Sequence, residues 1–231
     1  MVMAAGYGTR MRPLTNDRAK AMVEVAGRPL IDHMLDRLEA VGVKRAVVNV
    51  HAHADHLEAH LKQQNRGLEI IISDERDEVL ETGGGVVKAL PLLGDAPILI
   101  CNIDAIWEES DVPVIPSLME RWDETVMEDL LLLAPIDQTL GYDGVGDFLF
   151  QHDGRLDWRG ERPHAPYIYA GVQIMKLDRI RTFPLEKFTR KLVWRQTVAD
   201  GTAFGHPLKG FWMHVGDPQA KLDAEARLAR K

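Results

Sequence analysis

Disulfides, an excess of positive charge and long apolar segments are all missing from this sequence. Its single cysteine, Cys101, excludes an internal disulfide. Aspartate and glutamate total 35 against 28 lysines and arginines, a net charge of −7, so a surface that binds nucleic-acid phosphates is not expected. Apolar runs such as residues 96–101 and 130–135 are far shorter than the roughly 20 residues of a membrane-spanning helix, and the first residues lack a signal-peptide pattern. We therefore expect a cytoplasmic protein with neither nucleic acid nor a membrane as partner.

Apolar residues, by contrast, are plentiful. They make up 45% of the 231 residues, enough for the core of one sizeable globular domain. In the first half of the chain, short apolar runs alternate with amphipathic stretches, which is typical of parallel strands joined by crossover helices and indicates the α/β class. The predicted elements are strands at residues 2–5, 45–50, 68–73 and 97–103 and helices at residues 29–41, 54–62 and 84–93.

The second half, after Asp104, is richer in proline and glycine and less regular. Its predicted elements are strands at residues 147–151, 167–176, 204–206 and 211–215 and helices at residues 190–200 and 217–230. No linker or repeat separates the halves. We therefore interpret residues 1–231 as a single domain whose second half shapes the pocket for a second ligand.

A glycine-rich segment, residues 4–15, directly follows the first predicted strand. Open α/β sheets bind ligands at the carboxyl ends of their strands, and glycines there let backbone N–H groups approach phosphate oxygens. The segment is not a P-loop, because no Gly-Lys-Ser/Thr closes it, and Met11 stands where the dinucleotide-binding fingerprint has its third glycine. The glycines alone fit an ordinary turn as well as a phosphate site.

Local charge favours the phosphate site. Residues 1–28 carry a net charge of +3 within a chain of net charge −7. The cations of this segment are Arg10, Arg12, Arg18, Lys20 and Arg28, and its acids are Asp17 and Glu24. Arg10 offers a planar fork to phosphate oxygens and Lys20 a mobile point charge, which suit different tasks in stabilising charge during phosphoryl transfer. A solvated basic face is the alternative interpretation.

The segment Ala4-Ala5-Gly6-x-Gly8-Thr9-Arg10-x-Arg12-Pro13-Leu14-Thr15, followed by Lys20 and Gly27-Arg28-Pro29-Leu30, resembles the signature of the sugar-1-phosphate nucleotidyltransferases. The resemblance continues through Glu81-Thr82-Gly83-Gly84-Gly85, Asn102-Ile103-Asp104, Tyr169-Ala170-Gly171-Val172 and residues 212–218, and so covers nearly the whole chain. The Glu-Thr-Gly-Gly-Gly turn and residues 192–201 are most similar to a short branch, the N-acetylmuramate-1-phosphate uridylyltransferases of cell-wall recycling.

This resemblance implies a Rossmann-like, GT-A-like fold with three α/β/α layers, a mainly parallel central sheet and a smaller sugar-binding lobe. It implies that residues 1–104 form the nucleotide-binding half, and that residues 105–231 form the sugar-binding half and a closing helix. The implied reaction is attack by a sugar 1-phosphate, N-acetylmuramate 1-phosphate by preference, on the α-phosphorus of UTP. The products are a UDP-sugar, used in peptidoglycan recycling, and pyrophosphate.

The resemblance also implies roles for individual residues. Arg10 is expected to act on the leaving phosphates and Lys20 on the α-phosphate or the sugar phosphate. The expected nucleotide contacts are Ala4, Ala5, Gly6, Gly8, Thr9, Glu81, Thr82 and Gly83, and the expected sugar contacts are Asn102, Asp147 and Gly171. The residue that meets the lactyl carboxylate of a muramyl sugar is not assigned. By charge, the candidates are Arg190, Lys191 and Lys209.

A Mg²⁺ site is predicted at Asp104, which ends the fourth predicted strand at the same sheet edge as the first turn. The second ligand in the family is the aspartate of a Trp-x-Asp-x-Gly pattern, but His214 stands at that position here. Imidazole is a poor ligand for Mg²⁺. Either Asp217 supplies the second carboxylate, the interpretation we rank first, or His214 acts through a bound water.

Three other functions stay open at this point. A mannose-1-phosphate guanylyltransferase, or another nucleotidyltransferase of the same fold, would use the same charges with a different base pocket. A nucleotide-sugar sensor would bind without catalysis, but it would have no need of Arg10, Lys20 and Asp104 together. A dinucleotide-binding oxidoreductase does not fit the first turn.

Overall fold

A computed structural model describes residues 1–230, and within them one sheet of nine strands forms the centre of the molecule. From one edge, its strands are β5 (Glu69–Asp74), β4 (Arg45–Val50), β1 (Val2–Met3), β6 (Ile98–Asn102), β12 (Tyr167–Met175), β8 (Asp129–Pro135) and β13 (Ala203–Pro207), with β10 (Phe148–Phe150) and β11 (Leu156–Trp158) beside the start of β12. Strands β5, β4, β1 and β6 are parallel, and so are β8 and β13. The predicted α/β class with a mainly parallel sheet is confirmed.

Helices cover both faces of this sheet, which confirms the predicted three layers. The helices are α1 (Leu30–Ala40), α2 (Ala54–Gln63), α3 (Glu81–Leu93), α4 (Val114–Arg121), α5 (Lys191–Ala199) and α6 (Pro218–Leu228). On one face, apolar residues of α1 and α2 such as Leu35 and Leu57 pack into the largest core cluster. On the other, Val86 of α3 and Val193 of α5 pack into a second cluster. In α1, the residues Leu30, Ile31, Met34, Leu35 and Leu38 form the buried apolar stripe that the 3.6-residue period predicts.

Smaller elements complete the fold. A three-stranded sheet contains β7 (Ala105–Glu109), β14 (Gly210–His214) and β9 (Thr139–Leu140), and a two-stranded ribbon pairs β2 (Glu24–Val25) with β3 (Arg28–Pro29). Single 3₁₀ turns lie at Thr9–Met11, Lys20–Met22, Ile136–Gln138 and Ile180–Thr182. In the described part of the chain, no helix is long and apolar enough to cross a membrane.

Strand β8 and the segment leading to it are the main elements without a prediction. In the sequence, residues 129–135 show an apolar run without a strand pattern. The reason is that β8 lies between β12 and β13 and six of its seven residues are buried. A strand covered on both faces loses the alternation that identifies strands in a sequence. The apolar run was a core strand of the second half.

The predicted start of α3 at residue 84 was wrong. The helix begins at Glu81, and three of its first five residues are glycines, which are poor helix formers. Tertiary contacts outweigh that propensity: the backbone N–H groups of Gly83 and Gly84 both donate to the Phe188 carbonyl, at 2.8 and 3.3 Å. The first residues of α3 are thereby tied to the segment before α5.

The parallel strands bring three segments to one edge of the sheet. The glycine-rich turn follows β1, the loop to α3 follows β5, and Asp104 follows β6. Strand β12 runs antiparallel beside β6, with Val172 opposite Cys101, and extends the same sheet toward the second half of the chain. The carboxyl ends of the first-half strands and the middle of β12 therefore border one crevice.

Candidate active site

Two cavities meet in this crevice. The first, about 450 Å³, lies between the turn after β1 and the start of α3. The second, about 610 Å³, lies among the loop at residues 141–147, β12 and β14. Arg10, Asn102 and Asp104 line both cavities. Two ligands bound in the two cavities would thus meet at these three side chains.

The first turn combines an open glycine with a packed one. A Cβ added at Gly6 would meet nothing within 4 Å, so the backbone there is open to the first cavity. Gly8 has a left-handed backbone with φ +62°, and a Cβ there would lie 2.9 Å from the Cβ of Lys20. The Thr15 hydroxyl donates to the Gly8 carbonyl at 2.8 Å. Gly8 thus shapes the turn and packs it against Lys20, whereas Gly6 leaves room for a ligand.

A chain of buried polar groups connects this turn to the loop before α3. Asn49 accepts a hydrogen bond from the Ala4 N–H at 2.7 Å and donates one to Glu75 at 2.7 Å. The other carboxylate oxygen of Glu75 accepts from the Leu80 N–H at 3.2 Å, and Glu75 is fully buried. Both Asn49 and Glu75 line the first cavity. The ends of β1, β4 and β5 are therefore held together by side chains that sequence reasoning missed.

Lys20, Asp104 and His214 form the charged centre of the crevice. Lys20 Nζ lies 2.6 Å from Asp104 Oδ2, and His214 Nε2 lies 3.3 Å from the same oxygen. Burial alone would raise the pKa of Asp104, but Lys20 and His214 together hold it well below its usual range. Asp104 is therefore a carboxylate at neutral pH. Arg10, in contrast, is exposed and makes no hydrogen bond or ion pair with any described residue.

Two side chains, His214 and Asp217, remain candidates for the second metal ligand. The ring of His214 stacks on Trp212 and places Nδ1 3.2 Å from the Gly141 carbonyl and Nε2 toward Asp104. Asp217 caps α6 by accepting the Ala220 N–H at 2.9 Å through Oδ1. Asp104 and Asp217 both line the second cavity. Within residues 1–230, no group of three or more His, Cys, Asp or Glu side chains is arranged to hold a metal.

This set of donors still fits Mg²⁺. The ion is commonly held by one or two carboxylates, with substrate phosphates and waters completing its shell, so a three-residue cluster is not required. Asp104 offers an ionised carboxylate at the junction of the cavities. Asp217 still has one carboxylate oxygen free of its helix cap.

The three glycines at the start of α3 pack closely against neighbouring groups. A Cβ at Gly83 would lie 2.2 Å from the Phe188 ring, one at Gly84 would lie 2.1 Å from the Glu186 carbonyl oxygen, and one at Gly85 would lie 2.8 Å from Glu75. Glu81 and Thr82 line the first cavity, but Gly83 lies outside its lining. The glycines let α3 pack closely against the segment before α5, and a contact of Gly83 with the nucleotide stays a prediction.

Most of the residues expected to contact the nucleotide border the first cavity. Its lining contains Ala4, Ala5, Gly6, Gly8, Thr9, Glu81 and Thr82. It also contains Tyr7, Val79, Lys187 and Thr189, which the sequence did not single out. Lys187 and Thr189 lie more than 80 residues along the chain from every lining residue of the first half. Hydrogen bonds that join residues 188 and 190 to the start of α3 bring them there.

The three residues expected to contact the sugar all line the second cavity. The buried Oδ1 of Asn102 has no hydrogen-bond partner among the described residues, so it can accept a bond from a ligand. Gly171 has φ +85° at a bulge in β12, and a Cβ there would lie 2.8 Å from Ala105 and 3.3 Å from Asn102. Gly171 therefore lets β12 pack closely against β6 and β7, and its contact with a sugar stays a prediction.

The three candidate cations for a sugar carboxylate lie in different surroundings. Lys191 lines the second cavity. Arg190 is only 2% exposed, and it donates to Gln173 at 3.0 Å and to the Tyr169 hydroxyl at 3.1 Å. Lys209 is exposed and lines neither cavity.

Comparisons with known proteins agree with this architecture. A family model described as nucleotidyl transferase matches residues 1–125. An N-acetylmuramate alpha-1-phosphate uridylyltransferase of Caulobacter vibrioides is 50% identical over 232 residues, which cover 99% of this chain and 96% of that protein. A mannose-1-phosphate guanyltransferase of Aspergillus oryzae is 31% identical over 95% of this chain, which spans only 61% of that protein.

Solved structures share the fold at low sequence identity. A UDP-glucose pyrophosphorylase complexed with UDP-glucose has a TM-score of 0.81 at 15% identity, covering 99% of this chain and 97% of that chain. A putative glucose-1-phosphate thymidylyltransferase from Bacillus anthracis has a TM-score of 0.81 at 15% identity, covering 100% and 94%. HddC from Yersinia pseudotuberculosis, complexed with GMP-PN, has a TM-score of 0.78 at 21% identity, covering 98% and 97%.

Proposed function

The chain belongs to the nucleotidyl transferase family, and we propose that it transfers the uridylyl group of UTP to N-acetylmuramate 1-phosphate. The products are a UDP-sugar and pyrophosphate. The observation that carries this proposal is the 50% identity to the Caulobacter uridylyltransferase over nearly the full length of both proteins. The meeting of the two cavities at Arg10, Asn102 and Asp104 supports it, since two substrates must be aligned side by side to react.

The nucleophile in this proposal is a phosphate oxygen of the sugar 1-phosphate. It attacks the α-phosphorus of UTP in line with the bond to the leaving pyrophosphate, so one P–O bond forms while another breaks. The second pKa of a phosphate monoester is about 6, and the attacking group is therefore already largely ionised at neutral pH. No general base is needed, and the side chains have to align the substrates and neutralise charge.

Two cations are placed for that task. Arg10 is exposed, has no partner among the described residues and borders both cavities, so its guanidinium is available to the leaving phosphates. Lys20 lies next to Asp104 at the junction, so its ammonium is available to the α-phosphate or the sugar phosphate. The proposed sugar contacts are Asn102, Asp147 and Gly171 in the second cavity.

Asp104, together with Asp217 or His214, would hold a divalent metal ion, most simply Mg²⁺. When bound, such an ion neutralises negative charge on phosphate oxygens. Lys20 and His214 keep Asp104 ionised without it, so the carboxylate is ready for a cation at neutral pH. The single cap bond of Asp217 leaves its other oxygen available.

The proposal extends to the organisation of the chain and its setting. Residues 1–104 supply most of the first cavity and would bind the nucleotide, while residues 105–231 supply most of the second cavity and would bind the sugar. N-acetylmuramate is a peptidoglycan sugar, so the reaction belongs to cell-wall recycling. A cytoplasmic location follows from the need for UTP.

The test is pyrophosphate release from a grid of nucleoside triphosphates and sugar 1-phosphates in the presence of Mg²⁺, with the nucleotide-sugar product identified by mass. We expect UTP with N-acetylmuramate 1-phosphate to give the highest kcat/KM. A preference for GTP with mannose 1-phosphate would support the proposed nucleotidyl transfer but contradict the proposed substrates. Nucleotide binding without release from any pair would contradict the proposed reaction and favour a sensor.

A further inference from the structure

Lys191, at the first position of α5, places a cation on the wall of the second cavity. The only Lys or Arg side chains lining that cavity in residues 1–230 are Lys191 and Arg10. Arg10 also borders the first cavity and so lies at the junction where phosphates would meet. Lys191 is therefore the one lining lysine or arginine, among the described residues, that belongs to the second cavity alone.

We propose that Lys191 binds a carboxylate on the sugar substrate and thereby selects an acidic sugar 1-phosphate over a neutral one. The inference rests on the proposed function and specifies what its second substrate must carry. N-acetylmuramate differs from N-acetylglucosamine by a lactyl ether on O3, which ends in a carboxylate. Lys191 would recognise that group.

The geometry around Lys191 leaves its ammonium open. Nζ lies 3.6 Å from Asp147 Oδ1, which is an ion pair but too long for a hydrogen bond. The side chain is 53% exposed, and its Nζ makes no hydrogen bond with any described residue. An ammonium has three N–H donors. Lys191 can therefore bind a ligand carboxylate without breaking an existing hydrogen bond.

The other charges of the second cavity favour such a cation. Its lining includes four acidic residues, Asp104, Asp143, Asp147 and Asp217. A sugar with a second negative charge would be repelled by them unless a cation pairs with that charge. Asp147 is 28% exposed and holds Lys191 near the cavity wall without saturating it. A neutral sugar needs no such partner.

The two other candidate cations are excluded by position. The Arg190 guanidinium is buried between β12 and α5, bonded to Gln173 and Tyr169 and lying 5.5 Å from the Trp194 ring centroid. It lines neither cavity. Lys209 is exposed just before β14 and is also absent from both linings. Lys209 therefore makes a matched control for a lysine substitution.

The experiment measures equilibrium binding of two ligands, N-acetylmuramate 1-phosphate and N-acetylglucosamine 1-phosphate, by calorimetry with a non-hydrolysable UTP analogue present. For the wild type we expect the acidic sugar to bind at least tenfold more tightly. Lys191→Met should reduce the ratio of the two affinities by about tenfold, or about 1.4 kcal/mol. Lys191→Arg should retain most of the preference for the acidic sugar, and Lys209→Met should leave the ratio of the two affinities unchanged.

Two results would overturn the inference. If Lys191→Met weakens both ligands by the same factor, Lys191 only positions Asp147 and does not read a carboxylate. If the wild type binds both ligands equally, no carboxylate subsite exists. Failure of the proposed function is recognised separately: the absence of pyrophosphate release, together with Lys191-dependent binding of the acidic sugar, would reject the transfer reaction and retain the subsite.

Discussion

The two cavities are built in different ways. The wall of the first is held by the parallel strands and by a buried chain from Ala4 through Asn49 and Glu75 to Leu80, and glycines at the start of α3 fit closely against the segment before α5. The wall of the second includes an exposed loop at residues 143–145 and an ion pair of 3.6 Å. Buried hydrogen bonds and close packing thus hold part of the first wall, whereas part of the second wall is an exposed loop, the kind of segment that commonly carries binding residues.

The largest effect is expected at Lys20, which lines the first cavity and pairs with Asp104, a residue that lines both cavities. Replacing Lys20 with Ala removes the cation 2.6 Å from Asp104. Loss of one group that stabilises transition-state charge typically lowers kcat by about 10²–10³-fold. We expect a loss of that size in pyrophosphate release, whereas the midpoint of thermal unfolding should change by only a few degrees.

Lys44→Ala is the matched control for this substitution, because Lys44 is exposed and lines neither cavity. Its kcat should equal that of the wild type. Equal kcat values for Lys20→Ala and the wild type would show that Lys20 takes no part in the reaction.

A pair of glycine substitutions tests the difference in rigidity directly. In Gly84→Ala the new Cβ would lie 2.1 Å from the Glu186 carbonyl, and in Gly144→Ala it would lie 2.2 Å from the Tyr142 hydroxyl. Backbone cannot move aside as a side chain can. Gly84→Ala should therefore lower the unfolding free energy by about 3 kcal/mol, and Gly144→Ala by about 1 kcal/mol, both measured by urea denaturation. Equal losses would mean that the two walls do not differ in rigidity.

A buried polar network joins Asp129, Gln173, Thr197 and Arg190 and reaches the hydroxyl of Tyr169, which lines the second cavity. Its contribution to stability should depend on pH. Burial raises the pKa of Asp129 to about 6 from an ordinary value of 3.8, although Thr197 and Arg190 act in the opposite direction. The folded state thus binds this proton more tightly than the unfolded state. The contribution of Asp129 to stability is complete below pH 3.8 and is lost as the pH rises through 6.

Asp129→Asn removes that titration. Thr197 can then redirect its hydroxyl, since it already lies 3.4 Å from the Trp194 carbonyl. The unfolding free energy of the variant, relative to the wild type, should increase by up to about 3 kcal/mol between pH 4 and 7. Urea denaturation at several pH values measures the difference. A difference that is independent of pH would show that folding does not raise the pKa of Asp129.

More of the first cavity than of the second could be predicted from the sequence, for a physical reason. Residues 4–20 lie close together in the chain, and Asp104 follows a strand that the apolar pattern identifies. The carboxyl ends of parallel strands meet at one edge, so the fold class alone places these residues together. The first turn, Lys20 and Asp104 could be located in this way.

The remaining features depend on long-range contacts. The pairing of the Phe188 carbonyl with α3 explains the three glycines and brings Lys187 and Thr189 to the first cavity. The burial of Arg190 depends on Gln173, which belongs to another strand. No local pattern reports either contact. For the same reason, charge alone did not separate Lys191 from Arg190 and Lys209.

The smallest expected effect concerns Glu81, where the rigid wall of the first cavity carries strain. Glu81 has φ +57°, a left-handed backbone that favours glycine, and its side chain has no hydrogen-bond or ion-pair partner among the described residues. It nevertheless lines the first cavity. The left-handed backbone of Glu81 costs conformational free energy. A carboxylate at such a strained position indicates a contact with N–H or O–H donors of the nucleoside.

Glu81→Gly should therefore raise the unfolding free energy by about 1 kcal/mol and weaken UTP binding several-fold. Glu78→Gly is the control: Glu78 is exposed on the same loop without a left-handed backbone, so its replacement should lower stability slightly and leave UTP binding unchanged. Urea denaturation and calorimetry measure the two quantities. A more stable Glu81→Gly variant with unchanged UTP affinity would mean that the strain serves no ligand, and the rigidity of the first cavity would then be a matter of packing alone.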